Sequence, residues 1–301
     1  MRTLFIAVAL LAVLPAASGC DVCGCSIGGN YFGILPQFHR NFIGFRWSSE
    51  TSNTSLSADA LRQERYHSVE TFRTADLVVR FYPARRWQIM LLAPYRWNQQ
   101  VEDGASTRVH GVGDISLMAN YILFNTGDSL ATRWRQTFSV GGGVKLPAGR
   151  HKLLAVDGGE LNPNIQPGTG STDFLLAATY TLRQGAWGAV TDLLARLNTT
   201  NPHQFTFGNR LSGSAKIFYW KNLRRITVLP NAGIFLDAAQ ANRDDRDQLE
   251  GSEGVTTLAT LGLDAYTGRF SAGASFQPPL WQSRATVKTN ARWVFTLNYI
   301  F

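Results

Sequence analysis

The chain of 301 residues is 45% apolar, 12% aromatic and only 17% charged. Ordinary soluble domains are about a quarter charged, and this composition excludes disorder, collagen-like repeats and low complexity. Lys and Arg number 29 against 21 Asp and Glu, yet the basic residues are scattered along the chain without a clustered stripe, so no nucleic-acid partner is expected.

Residues 1–19 read as a secretory signal peptide. Met1-Arg2-Thr3 supplies a charged start, Leu4 to Val13 an apolar core, and Pro15-Ala16-Ala17-Ser18-Gly19 a small-residue exit. The apolar core is too short for a transmembrane helix, and past Cys25 no run of about 18 apolar residues occurs, so helical membrane spans are not expected. Residues 20–36 form a Cys- and Gly-rich segment expected in the periplasm. The CxxC-x-C spacing lets the thiolates of Cys20, Cys23 and Cys25 converge on one Cu or Zn ion. Two other fates compete: a Cys20–Cys23 disulfide in an oxidising compartment, and acylation of Cys20, because Ala17-Ser18-Gly19-Cys20 resembles a bacterial lipobox with Ala where a Leu usually stands. No other cofactor is expected. The Gly- and aromatic-rich stretch 26–36 is expected to plug the periplasmic mouth of the domain that follows.

From residue 37 to 301 the hydropathy has a period of two. Trp87, Ile89, Leu91, Ala93, Tyr95 and Trp97 alternate with Gln88, Arg96 and Asn98. Ile115, Leu117, Ala119 and Tyr121 alternate with Asp114, Ser116 and Asn120; Phe174, Leu176, Ala178, Tyr180 and Leu182 with Asp173, Thr179, Thr181 and Arg183; Trp187, Ala189, Leu193, Ala195 and Leu197 with Asp192, Arg196 and Asn198. The last segment does the same, with Trp293, Phe295, Leu297, Tyr299 and Phe301 against Arg292, Thr296 and Asn298. This is strand periodicity. Strands are predicted near 37–49, 65–82, 86–99, 112–124, 135–147, 173–183, 187–199, 206–220, 225–239, 254–266, 268–279 and 288–301. Most run to 11 residues or more, enough for a tilted strand to cross the apolar band of about 25 Å, whereas soluble strands are usually about five or six residues.

The connections alternate as well. Those expected outside the cell are mostly long and polar, at 50–64, 100–111, 148–172, 200–205, 240–253 and 280–287; those expected in the periplasm are mostly tight, at 83–85, 184–186, 221–224 and 267–268, with 125–134 the long exception. Hydrocarbon offers no partner to backbone N–H and C=O groups, so strands can cross it only as a closed sheet. The expected fold is therefore an all-β, transmembrane, antiparallel up-and-down β-barrel of about 12 strands in the bacterial outer membrane, with membrane lipid against its outer face.

Polar residues on the alternate face are then expected to line a lumen: Asp76, Arg80, Arg96, Asp114, Lys145, Asp173, Arg183, Asp192, Arg196, Arg210, Lys216, Asp237, Asp264, Arg269 and Arg292. Both signs are interleaved, so many should pair across neighbouring strands, leaving a weak anion preference. Trp47, Trp87, Tyr95, Trp97, Tyr121, Trp134, Trp187, Tyr219, Trp220, Trp293 and Tyr299 fall at strand ends, where interfacial girdles form. Phe301 with Tyr299 and Leu297 resembles the C-terminal signature read by the bacterial barrel-assembly machinery, an expected partner. In the loop 148–172, Leu153, Leu154, Val156, Leu161 and Ile165 have little reason to face water, so this loop is expected to fold inward as a constriction or lid.

Four segments carry a family resemblance: Gly111-Val112-Gly113-Asp114, Gly143-Val144-Lys145-Leu146-Pro147-Ala148-Gly149, Gln166-Pro167-Gly168-Thr169-Gly170-Ser171-Thr172-Asp173, and the aromatic C-terminus. With these, the chain resembles the outer-membrane channels associated with the meta-pathway of phenol degradation. The resemblance implies a barrel passing small, often hydrophobic molecules, and supplies no catalytic residues. Read from the residues alone, Gly141-Gly142-Gly143 removes side chains where a strand must bend or let bulk pass opposite it, and Asp114 and Asp173 bond loop amides or pair with Arg.

Phosphate-loop fingerprints are absent. His39, His67, His110, His151 and His203 fall near strand ends and in loops without a serine-elbow motif, and Asp244, Asp245, Asp247, Glu250 and Glu253 read as a solvated acidic loop with at most weak affinity for a divalent ion. The expected function is a passive channel for small molecules, with a copper-linked barrel using the Cys cluster, an adhesion barrel or a barrel enzyme as alternatives.

Overall fold

The computed structural model describes residues 40–56, 66–102, 104–126, 133–153, 161–249, 251–283 and 287–301. The signal peptide, the Cys20, Cys23 and Cys25 cluster and the stretch 26–36 lie outside the described residues. Among the described residues no helix is long and apolar enough to cross a membrane. Strands do the crossing, twelve of them, all antiparallel and each paired to its sequence neighbour.

In chain order they are β1 (Phe42–Leu56), β2 (Tyr66–Ala84), β3 (Trp87–Glu102), β4 (Ala105–Val112 continued by Ile115–Asn125), β5 (Trp134–Leu146), β6 (Asp173–Gln184), β7 (Trp187–Leu197), β8 (Arg210–Tyr219 continued by Lys221–Leu223), β9 (Ile226–Ala239), β10 (Gly254–Thr267), β11 (Phe270–Gln277 continued by Pro279–Gln282) and β12 (Val287–Thr289 continued by Arg292–Ile300). β12 pairs back onto β1, from Phe42 opposite Ile300 to Ser49 opposite Trp293, which closes the sheet and leaves no edge.

Burial follows the predicted parity. Along β3, Gln88, Met90, Leu92, Arg96, Asn98 and Gln100 are buried while Trp87 and Trp97 are exposed. Leu261 and Leu263 of β10 are 56% and 51% exposed between buried Thr260 and Asp264. An outward face that is apolar on every strand is what a lipid solvent selects, and it identifies a transmembrane barrel of the outer-membrane type. Long connections mark its extracellular end and tight turns its periplasmic end.

Two expected boundaries move. The segment 100–111, expected as a loop, is a hairpin: β3 and β4 stay paired from Tyr95–Val112 to Glu102–Ala105, and Gly104, at φ 87°, turns the chain. β1 likewise runs to Leu56. Above the membrane the outward face of the hairpin meets water instead of lipid, so the sequence loses its alternation while the backbone ladder continues. Over the extracellular loops, Arg243–Asp244 pairs with both Asp247–Gln248 and Phe205–Thr206 in a small separate sheet. Asp244, Asp245 and Asp247 are exposed there, and Glu250 lies outside the described residues.

The inward face also carries an apolar cluster that the alternation did not reveal. Phe42, Val78, Met90, Leu92, Met118, Leu175 and Leu194 are buried together, joined by Ala177, Tyr266 and Ile300. Gly143 makes the crossing possible: a Cβ there would lie 2.8 Å from Met118 Cγ and 2.3 Å from the Leu117 carbonyl oxygen. Without a side chain on this inward position of β5, Met118 of β4 and Leu175 of β6, both paired to Gly143, share one cluster.

Candidate functional site in the lumen and its extracellular mouth

Pro94 stands in the middle of β3 and has no N–H for the ladder. Opposite it β4 is interrupted, and Gly113 N donates to Pro94 O at 2.8 Å. The interruption places Asp114 on the inward side, 3% exposed. Its carboxylate gathers four donors. Gly149 N bonds Oδ1 at 3.0 Å, and Thr169 N, Thr169 Oγ1 and Lys145 Nζ bond Oδ2 at 2.9, 2.7 and 2.9 Å. Lys145 Nζ also lies 2.6 Å from Asp173 Oδ2, and Asp173 Oδ1 accepts Thr199 N at 3.0 Å. One ammonium thus holds two buried carboxylates, and backbone amides take up remaining lone pairs. Three of the sequence motifs, 111–114, 143–149 and 166–173, converge on this knot.

The knot fastens a strap. Gly149 and Gly168 cross so closely that a Cβ on Gly149 would lie 2.6 Å from Gly168 Cα, and Gly168 N donates to Arg150 O at 2.8 Å. Beyond the crossing, Ile165 is 1% exposed and is buried with Leu161 and Phe72, with Val109 and Leu153 packed against them. Asn98 Nδ2 donates to the Ile165 carbonyl at 2.8 Å. The β5–β6 loop therefore reaches across the mouth to the inward faces of β2 and β3. Leu154 and Val156, expected to fold in with it, lie outside the described residues. His151, in this loop, and His203, in the β7–β8 loop, bring their rings to 6.0 Å.

Below the strap the wall carries paired charges. Arg46 Nε bonds Asp76 Oδ2 at 2.7 Å, Arg210 Nε faces Asp237 Oδ2 at 3.5 Å, and Arg292 Nη1 faces Glu50 Oε2 at 3.8 Å. Each pair joins neighbouring strands. Asp192 accepts from Thr179 and Ser214 at 3.0 and 3.2 Å, and Asp264 from Asn231 at 2.9 Å. Lys216 interacts electrostatically with both Asp192 and Asp264. Arg80, Arg96 and Arg196 are buried on the same face, and the Arg80 guanidinium lies 4.6 Å from the Phe42 ring centre.

Arg183 is half-buried near the periplasmic end, its guanidinium 4.3 Å from the Trp220 ring. Arg269, expected on the lumen wall, is instead exposed in the β10–β11 turn, where its Nη1 donates to Tyr299 Oη at 3.2 Å. Gly268, at φ 54°, turns the chain there, and the strand expected from 268 begins only at Phe270, so Arg269 stands in the turn ahead of the first inward residue, Ser271. Trp220, expected in the girdle, falls at the interruption of β8 and stacks on the inward-facing Tyr266 at 6.2 Å. Trp87–Tyr121 and Trp187–Tyr219, at 5.1 and 4.9 Å, mark the outer periplasmic rim, and Tyr95–Trp97, at 4.6 Å, the extracellular one.

Sequence reasoning missed Arg46, Glu50 and Glu70. Arg46 carries a readable signal, standing between outward Phe45 and Trp47. Glu50 was lost because β1 was expected to stop at 49, and the inward apolar residues because a lumen face was taken to be polar.

No protein-family model matches the chain, and no curated protein does. Among solved structures it is similar to an outer membrane channel from Pseudomonas putida F1, with TM-score 0.63 and 13% identity over 90% of this chain and 98% of that one. It is also similar to the beta domain of the Bordetella autotransporter BrkA, with TM-score 0.51 and 14% identity over 87% of this chain and all of that one. At these identities the likeness establishes the fold, the closed outer-membrane barrel built above.

Proposed function

We propose that this protein is a passive channel of the bacterial outer membrane for small amphiphilic molecules, hydrophobic or aromatic ones included, with the β5–β6 strap setting the width of its extracellular entrance. The observation that carries the reading is the strap itself: a loop held across the mouth by the buried Asp114–Lys145–Asp173 knot is a constriction supported by the wall. The lumen supplies the rest. Paired charges below the strap offer a polar solute hydrogen-bonding groups, and the cluster around Phe42, Met90 and Leu175 offers apolar surface to a solute's greasy part. Neither surface needs an energy source, which fits diffusion down a gradient.

Single-channel recording in planar bilayers, with liposome swelling on a panel of aromatics, sugars and metal complexes, tests this. The expected result is discrete conductance and faster swelling with small aromatics than with sugars of equal size. Replacing Leu161–Thr169 by a short Gly-Ser linker should raise the conductance severalfold. A barrel that folds yet passes neither ions nor solutes, with the strap or without it, overturns the reading.

A further inference from the structure

The periplasmic rim is rich in exposed arginine. Its turns carry exposed Arg85, Arg86, Arg133, Arg224, Arg225 and Arg269, and no Asp or Glu stands in these turns among the described residues. At the extracellular end Arg243 and Arg246 are interleaved with Asp244, Asp245 and Asp247, and Arg73, Arg108, Arg150, Lys152 and Lys288 are exposed on the strands and loops above the bilayer. Three of the periplasmic arginines immediately precede a lipid-facing ring: Arg86-Trp87, Arg133-Trp134 and Arg269-Phe270, with rings 46%, 46% and 53% exposed. In two of these turns the same contact recurs. Arg86 Nη1 donates to Tyr121 Oη at 3.2 Å, and the Tyr121 ring lies 5.1 Å from Trp87. Arg269 Nη1 donates to Tyr299 Oη at 3.2 Å, and the Tyr299 ring lies 5.3 Å from Phe270.

Aromatic belts sit at headgroup level. A guanidinium tethered to a belt phenol is held at that height, and one of its five N–H donors serves the tether. The rest form the planar fork that matches phosphate oxygens. We propose that the periplasmic rim is a docking belt for the phosphates of anionic glycerophospholipids in the inner leaflet, with Arg86, Arg133 and Arg269 as its principal contacts. The occupant follows from the charge and the depth: cations level with the rings, with no Asp or Glu in their turns among the described residues, face lipid headgroups before they face solvent.

The full barrel in nanodiscs of phosphatidylcholine mixed with phosphatidylglycerol tests the belt, with bound lipid counted by native mass spectrometry. Wild type should retain phosphatidylglycerol in preference to phosphatidylcholine. Each charge removed in R86Q/R133Q/R269Q should lower that retention about fivefold, while R86K/R133K/R269K keeps most of it and the extracellular control R243Q/R246Q keeps all. Heat-modified mobility in gels reports folding of each variant; if the triple variant does not fold, R269Q alone is read by the same lipid count. Equal retention of both lipids by wild type, or wild-type retention in the folded glutamine variant, overturns the proposal. So does unchanged lipid retention with loss of binding to purified cell-wall sacculi, which would assign the rim to peptidoglycan.

Discussion

Lys145 is the residue on which the extracellular mouth turns. Its ammonium lies 2.9 Å from Asp114 and 2.6 Å from Asp173, all three side chains nearly inaccessible. Lys145→Met should leave two buried carboxylates without a cation and cost about 3–5 kcal/mol; unfolding of the liposome-inserted barrel in guanidinium measures it, and an unchanged midpoint would refute it. The triple variant D114N/K145M/D173N removes the charges together and should recover much of that loss. Gly168→Val tests the crossing beneath the knot. A Cβ at 168 meets the Gly149 backbone at 2.5–2.6 Å, so the strap must shift, and its release should appear as a higher single-channel conductance with the barrel still folded. Asp114 and Asp173 were legible as inward carboxylates at strand heads. Their shared lysine was not, because side-chain alternation says which face a residue takes and nothing about which residue 31 positions away stands beside it.

At the scale of the strand, what decides is the solvent on each face. Leu263 is 51% exposed in mid-strand, next to buried Asp264. Leu263→Arg should cost about 2–4 kcal/mol, because the guanidinium would meet hydrocarbon near the bilayer midplane. The same unfolding assay reads it, and a cost below about 1 kcal/mol would place this face outside the lipid. This rule made the twelve strands readable in advance and failed where its cause ends. Beyond the bilayer the outward face of the β3–β4 hairpin meets water instead of lipid, and there is no alternation to read. Trp220, by contrast, keeps the inward parity of Ser214, Lys216 and Phe218, so its expected place in the girdle followed residue type against the alternation, and Arg269 stands in the turn before β11 begins at Phe270.

For the molecule as a whole, closure of β12 onto β1 brings distant segments onto one wall. Cations and anions are interleaved there, so the proposed channel should show only modest ion selectivity; Arg196→Glu should move the reversal potential in a KCl gradient toward cations, and a strongly selective wild type would contradict the reading of the wall. The sequence alone determined the compositional class, the number and approximate span of the strands, and the face most side chains take, because each depends on a local choice between lipid and lumen repeated at every second residue. Only the tertiary structure decided that three motifs meet in one buried knot, that Gly149 and Gly168 let the strap cross, and that Met118 reaches Leu175 past Gly143. Those contacts depend on the stagger of the closed barrel and on how loops pack into its mouth, quantities that no period along the chain encodes.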